Sequence, residues 1–386
     1  MENYIVSARK YRPATFQSIV GQMHITQTLQ SAILTRQLAH AFLFSGPRGV
    51  GKTTCARILA KAINCEQLTP EAEPCNQCDS CQNFNGGQSI TIHELDAASN
   101  NSVDDIRHLI EQTRYVPART KSGKEQKSVF IVDEVHMLTT AAFNAFLKTL
   151  EEPPAHVLFI LATTEKHKIL PTVLSRCQKF DFRRIKADDM AHHLEYISKQ
   201  ENVKYEFSAL QQIALKADGG LRDALSLYDQ LVSYSSANIT FQIVLENLNI
   251  LDYDYYFKAV DCIKNQDHVG LILLLNEVVE KGFDARDFWT GLTEHFRNLL
   301  MALTPDTVKL LETAENVKSR YLTQSRELPP TILLNCLNIC AETDQKLKNA
   351  SSPRIYIELA TFKLAYLTQA LQVAVTPTQG GDEKKK

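Results

Sequence analysis

Residues 46–53 read Gly46-Pro47-Arg48-Gly49-Val50-Gly51-Lys52-Thr53. That spacing fits the phosphate-binding loop G-x-x-x-x-G-K-[ST] in full. The apolar run Ala41–Ser45 before it reads as a strand, and Lys52–Asn64 after it reads as a helix. A strand, a loop and a helix in that order leave little freedom of fold. The glycines let successive N–H groups point inward around phosphates, and the helix N-terminus adds partial positive charge. Lys52 reaches the β- and γ-phosphates, and Thr53 offers its hydroxyl to Mg²⁺.

The segment Val129-Phe130-Ile131-Val132-Asp133-Glu134 supplies the partner motif. Four apolar residues form a buried strand, with two carboxylates at its end. Asp133 is suited to the Mg²⁺ shell, and Glu134 to orienting and polarising an attacking water. Further strands are expected at Ile90–Leu95, Val157–Thr163 and Lys179–Phe182, and helices at Met23–Arg36, Val103–Tyr115 and Thr140–Glu151. This alternation predicts an α/β core around a parallel five-stranded sheet covered on both faces, over residues 1–184. Pro153-Pro154 stops the last helix, because proline has no N–H to donate.

Beyond Lys186 the strand signal ends. Helices at Ala187–Gln200, Ser208–Ala217 and Leu221–Tyr234 predict a three-helix lid over 185–245. Apolar stripes near Asp252–Asn265, Val269–Lys281, Ala285–Ala302, Thr331–Asn349 and Arg354–Gln372 predict an all-α domain over 246–373. The polar end, 374–386, is expected to be disordered.

The formal charge is −2 over 386 residues. A chain that coats nucleic acid alone is usually basic, so any DNA contact here is expected to be local or shared between subunits. No apolar run reaches 18 residues and no signal peptide opens the chain, so the expected setting is cytoplasmic, with no membrane. In that compartment the nine cysteines are core residues or metal ligands rather than disulfides. Cys65, Cys75, Cys78 and Cys81 form C-x9-C-x2-C-x2-C, which suits a closed tetrahedral Zn²⁺ site; an iron–sulfur cluster would use the same thiolates. Cys55, Cys262, Cys336 and Cys340 lie in apolar helical surroundings and read as core.

Phosphoryl transfer depends on positioning and charge stabilisation, so more polar groups should converge on the γ-phosphate. Thr163 and Thr164 end the Val157 strand, and Thr164 is the favoured sensor. Arg222 opens the third lid helix and can couple the lid to the nucleotide. Arg176, in Ser175-Arg176-Cys177, lies too far along the fold to serve its own loop. It reads either as a surface arginine or as a finger for a neighbour's ATP.

With these motifs in place, the chain resembles the tau/gamma family of the bacterial DNA polymerase III clamp loader, an AAA+ ATPase family. The matching runs are Ala8-Arg9-Lys10-Tyr11-Arg12-Pro13, Val20-Gly21-Gln22, Gly46–Thr53, the four cysteines, Asp96-Ala97-Ala98-Ser99, Asp133-Glu134-Val135-His136-Met137-Leu138, Leu147–Pro154, Ser175-Arg176-Cys177 and Leu221–Ser226. The likeness is strong over about residues 4–235 and looser to about 370. Delta-prime subunits have the zinc knuckle but generally lack a working P-loop. Eukaryotic and archaeal small subunits keep the P-loop and Ser-Arg-Cys but lack the knuckle.

The resemblance implies that Ala8, Arg9, Tyr11, Arg12, Pro13 and Val20 flank adenine. Gly46, Pro47, Arg48, Gly49, Val50, Gly51, Lys52, Thr53, Thr54 and Arg222 would hold the rest of ATP. Thr53 and Asp133 would hold Mg²⁺, and the four cysteines Zn²⁺. Arg176 becomes the finger in trans and Arg222 the second sensor in cis. The helical C-terminal domain becomes an oligomerisation collar. The implied partners are several copies of this chain with delta and delta-prime in a hetero-pentamer, the sliding clamp and primer–template DNA.

Two other readings of the sequence are a DNA-translocating helicase motor and a scaffold with structural nucleotide. The knuckle and the collar-like end argue against the first, and Glu134 with Arg176 argues against the second.

Overall fold

The computed structural model describes residues 5–120, 123–248, 251–311, 313, 315–347, 350–367 and 369, and the expected tail lies outside them. The chain divides into two compact units that meet in sequence between Thr240 and Phe241.

The first unit is built on five parallel strands, β1 (Ala41–Ser45), β2 (Ile92–Asp96), β3 (Ser128–Asp133), β4 (Val157–Thr163) and β5 (Gln178–Asp181). Their spatial order is β2-β3-β4-β1-β5. β1 and β4 are buried at every position, as strands covered on both faces must be. Alternation divides their side chains between two cores. Phe42, Phe44, Val129 and Ile131 face the helix Lys52–Asn64 on one side. Ala41, Leu43, Phe130 and Val132 face Phe143, Phe146 and Ile106, from helices Thr140–Glu151 and Val103–Gln112, on the other. The first of these two helices ends at Glu151, just before the paired prolines.

The strand β2 begins at Ile92 rather than Ile90, because Ser89 Oγ takes the N–H groups of Thr91 and Ile92 before the ladder starts. Ile90 is 82% exposed. Three helices, Ala187–Gln200, Phe207–Lys216 and Leu221–Tyr234, come after the sheet and close against the loop after β1. Ile185 N–H donates to Gly219 O at 3.1 Å, which fixes the entry to that layer. A two-residue ladder, Lys204–Tyr205 with Asn238–Ile239, was not anticipated.

The second unit is helical throughout its described residues. Its longer helices are Tyr253–Lys264, His268–Glu280, Ala285–Met301, Glu315–Gln324, Pro330–Leu347 and Pro353–Ala365. Asp252, Asp267 and Asp284 cap the first three, their carboxylates accepting N–H groups of Asp254, Gly270 and Arg286 at 2.8–3.0 Å. Trp289, Phe288, Phe296 and Tyr321 fill the centre with Cys336 and Cys340. Cys55 is fully buried in the first unit, whereas Cys262 is only half-buried. The expected helix ends at Asn349 and Gln372 fall outside the described residues. No described helix is long and apolar enough to cross a membrane.

Candidate nucleotide site

The loop between β1 and the helix Lys52–Asn64 is shaped by backbone that only glycine tolerates. Gly46 has φ +149°, and a Cβ there would stand 2.4 Å from Phe182 O. Gly51, at φ +101°, is the residue that turns into the helix. The Lys52 side chain is buried, and its ammonium donates to Gly46 O at 2.8 Å and Pro47 O at 2.7 Å. Burial pulls its pKa down, while the carboxylates of Glu134 and Asp133 oppose that shift.

At the end of β3, Asp133 Oδ2 accepts from the Thr53 hydroxyl at 2.6 Å. Glu134 sits in the left-handed region at φ +47°, uncommon for a non-glycine residue and frequent where a site stores strain. Its Oε2 accepts from Thr164 Oγ1 at 3.0 Å and from Thr164 N–H at 3.2 Å. Thr163, one residue earlier, turns inward instead and pairs with His136 Nδ1 at 3.0 Å.

These residues open onto a cavity of about 470 Å³. It is lined by Ala8, Arg9, Tyr11, Arg12, Pro13, Val20, Arg48, Gly49, Val50, Gly51, Lys52, Thr53, Thr54, Asp133, Glu134 and Arg222. Five cations therefore face two carboxylates, a balance that favours a polyanion. Burial lowers the Arg12 pKa, and the nearby charge of Arg57 adds to the effect. Arg222 reaches the cavity because its N–H lies 3.4 Å from Gly49 O, which seats the lid helix on the loop.

The segment Val6–Pro13 is held to the lid from below. Ser7 N–H donates to Asp229 Oδ2 at 2.7 Å, Lys10 pairs with Glu201 at 2.5 Å, and the Tyr11 hydroxyl donates to the same carboxylate. Burial and that hydrogen bond raise the Tyr11 pKa.

Some expected residues lie elsewhere. Gly46 and Pro47 hold Lys52 through their carbonyls and do not line the cavity. Thr164 stands behind Glu134. Arg176 is not at the cavity: its guanidinium donates to Glu151 Oε1 at 2.6 Å and to Thr172 O at 2.8 Å. Sequence reasoning missed Val6, Ile19, Ile185, Leu221 and Leu225, which give the cavity its apolar wall. The last two are four apart on a helix, a spacing that could have flagged them.

The four cysteines converge as their spacing implied. Their sulfurs all lie within 4.8 Å of one another. A tetrahedron with metal–sulfur bonds of about 2.3 Å has edges of about 3.8 Å, so the set fits such a centre. Cys75 Sγ is 4.0 Å from Cys81 Sγ and accepts the Cys78 N–H at 3.3 Å. Burial works against ionisation of Cys75, yet the N–H groups of Gln77 and Cys78 bring it down to about 6. Burial raises Cys65 and Cys81.

Comparison with known proteins gives matches along most of the chain. Residues 21–186 match a model described as DNA polymerase III, delta subunit. Residues 189–237 match DNA polymerase III clamp loader subunit, ATPase lid domain, and residues 239–375 match DNA polymerase III subunits gamma and tau domain III. DNA polymerase III subunit tau of Bacillus subtilis is 39% identical over 94% of this chain and 63% of its own length. The Escherichia coli subunit tau is 39% identical over 85% of this chain and 50% of its own. DNA polymerase III subunit gamma of Buchnera aphidicola is 35% identical over 83% of this chain and 85% of its own. The chain thus spans about half to two-thirds of the tau relatives it matches.

Proposed function

The chain belongs to the tau/gamma family of DNA polymerase III clamp-loader subunits, and on that footing we propose that it is the ATP-driven motor subunit of a replicative clamp loader. The observation that carries this reading is the convergence of the P-loop, the Thr53–Asp133 pair, Glu134 and Arg222 on one cationic cavity.

In this proposal ATP enters with adenine toward Ala8, Arg9, Tyr11, Arg12, Pro13 and Val20 and with phosphates along the loop Gly46–Thr54. Lys52 exchanges the carbonyls of Gly46 and Pro47 for phosphate oxygens, which offsets the cost of its burial. Thr53 and Asp133 hold Mg²⁺, which neutralises charge on the phosphates. Glu134 orients the attacking water, and Thr164 aims Glu134 and senses the γ-phosphate. Arg222 reports the occupied state to the lid, so that ATP and its products favour different lid positions. Arg176, one-third exposed and outside its own cavity, serves a neighbouring subunit's ATP. The four cysteines hold a structural Zn²⁺, because a closed set of four thiolates leaves no open position for substrate.

The second unit acts as a collar. Ile355, Leu359 and Phe362 are 63%, 53% and 42% exposed and share one face of their helix, which supports a role in assembly. The partners are further copies of this chain, delta and delta-prime subunits in a hetero-pentamer, the sliding clamp and primer–template DNA, in the cytoplasm. A binding-driven spiral of nucleotide units opens the clamp and grips DNA through its phosphates. Hydrolysis then releases the closed ring on DNA.

The test is reconstitution with delta, delta-prime and clamp on nicked circular DNA, scoring rings loaded and ATP consumed. Loading that depends on ATP and is abolished by Lys52→Ala is the expected result. DNA-stimulated turnover left intact by Lys52→Ala would remove the assigned site. Strand separation by a homohexamer would favour a helicase, and nucleotide bound without turnover would favour a scaffold.

A further inference from the structure

A single buried carboxylate joins the cysteine knuckle to the wall of the nucleotide cavity. Glu73 stands two residues before Cys75 and is 9% exposed. Its Oε2 accepts the Phe16 N–H at 2.7 Å, and its Oε1 accepts the Gln17 N–H at 2.8 Å. Gln30 Nε2 donates to Oε1 at 3.2 Å, which ties in the helix Met23–Leu34. The Glu73 backbone is itself pinned: its N–H donates to Thr69 Oγ1 at 3.1 Å, and its carbonyl takes the Thr69 N–H at 3.0 Å.

The residues so held are close in sequence to the cavity. Pro13 lies three before Phe16, and Ile19 and Val20 lie three and four after it; all three line the cavity. Phe16 is 1% exposed and packs in the sheet core, so its N–H has no access to bulk water as an alternative partner. Sequence position alone does not connect the two regions, because 57 residues separate Phe16 from Glu73.

We propose that Glu73 is a positioning residue for nucleotide binding, transmitting the rigidity of the cysteine knuckle to the wall that carries Pro13, Ile19 and Val20. The proposal rests on the nucleotide reading above. The knuckle then serves as the abutment of the nucleotide wall as well as a staple for its own loop. A charged acceptor for two adjacent N–H groups suits that task, since such bonds are stronger than neutral ones and fix direction.

The experiment uses the full chain and four proteins: wild type, Glu73→Gln, Glu73→Ala and Lys52→Ala. Affinity for a fluorescent ATP analogue is measured beside thermal unfolding, bound-metal content and amide exchange without nucleotide. Wild-type binding that Lys52→Ala abolishes establishes the nucleotide reading independently of Glu73. Glu73→Ala is then expected to keep its metal, to speed exchange at Phe16 and Gln17, and to weaken binding roughly fivefold or more. Glu73→Gln retains one oxygen acceptor and should fall between wild type and Glu73→Ala; it decides the matter if Glu73→Ala does not fold. Wild-type affinity in a folded Glu73 variant, unchanged exchange at Phe16 and Gln17, or weakening that appears only with loss of the metal would each overturn the proposal.

Discussion

Thr164 grips one oxygen of Glu134 twice, with its hydroxyl at 3.0 Å and its N–H at 3.2 Å from Oε2. His136 Nδ1 stands 3.4 Å from the same oxygen, and its Nε2 is 3.1 Å from Glu165. The carboxylate that would polarise water is therefore aimed by groups from the end of β4, while β3 carries it. Thr164→Val preserves volume and the N–H but removes the hydroxyl. We expect turnover to fall about 10- to 100-fold with nucleotide affinity within about twofold of wild type. Steady-state ATPase assays beside equilibrium binding check this. Equal losses in both quantities would assign Thr164 to ground-state binding instead.

Arg176 offers a sharper separation, because its partner within the chain is an exposed carboxylate. The Arg176–Glu151 pair leaves the two side chains 34% and 48% exposed, so it contributes less than about 1 kcal/mol. Arg176→Ala should leave the melting temperature and nucleotide affinity of the isolated chain near wild type. In the reconstituted loader, turnover should drop about a thousandfold, the scale of a lost arginine finger. An assembled loader that hydrolyses ATP normally with Arg176→Ala in every copy would remove the trans role.

The contrast between Arg176 and Arg222 marks how far the sequence could be read. Apolar runs such as Val157–Thr163 specify buried parallel strands, and the P-loop motif specifies the turn and helix after β1, so the sheet was legible. Arg222 was harder, because its value depends on Gly49 O meeting its N–H across 173 residues. The apolar wall made by Ile19, Ile185 and Leu225 comes from three segments with no common motif. The helix Asp79–Asn85 carries no apolar stripe to read, because only Cys81 and Phe84 of its 7 residues are buried. Helix Glu315–Gln324 was missed because its residues are mostly polar, leaving a weak apolar stripe.

The knuckle yields a third prediction. Its four sulfurs already lie within 4.8 Å of one another, so binding a tetrahedral ion asks little rearrangement. The purified chain should be colourless and should release about one zinc per chain to a chelating dye. Visible absorption of iron–sulfur type would replace zinc by the cluster. Cys78→Ser should lose the metal and lower the first unit's melting temperature by roughly 5–10 °C, as loss of a few kcal/mol would. Unchanged melting in the metal-free variant would show that the loop is held by its own hydrogen bonds.

In the second unit, His295 is buried between Tyr321 and Gln324. Its Nδ1 is 2.9 Å from Tyr321 Oη, and its Nε2 is 3.2 Å from Gln324 Oε1. Burial pulls its pKa from 6.5 down to about 4, with the hydrogen bond to Gln324 opposing and the charge of Arg320 assisting. In the window between these values the unfolded chain binds the proton and the folded chain does not. Stability therefore rises with pH through that window and is lost as pH falls through it. The full difference corresponds to about 3 kcal/mol below pH 4. Denaturant unfolding of the second unit at pH 7 and pH 5 should show the decline for wild type. In His295→Asn, less stable overall, that decline should be smaller by about 2 kcal/mol, the share of this group by pH 5. An equal pH dependence in both proteins would mean that carboxylates elsewhere, rather than the imidazole, govern the acid response.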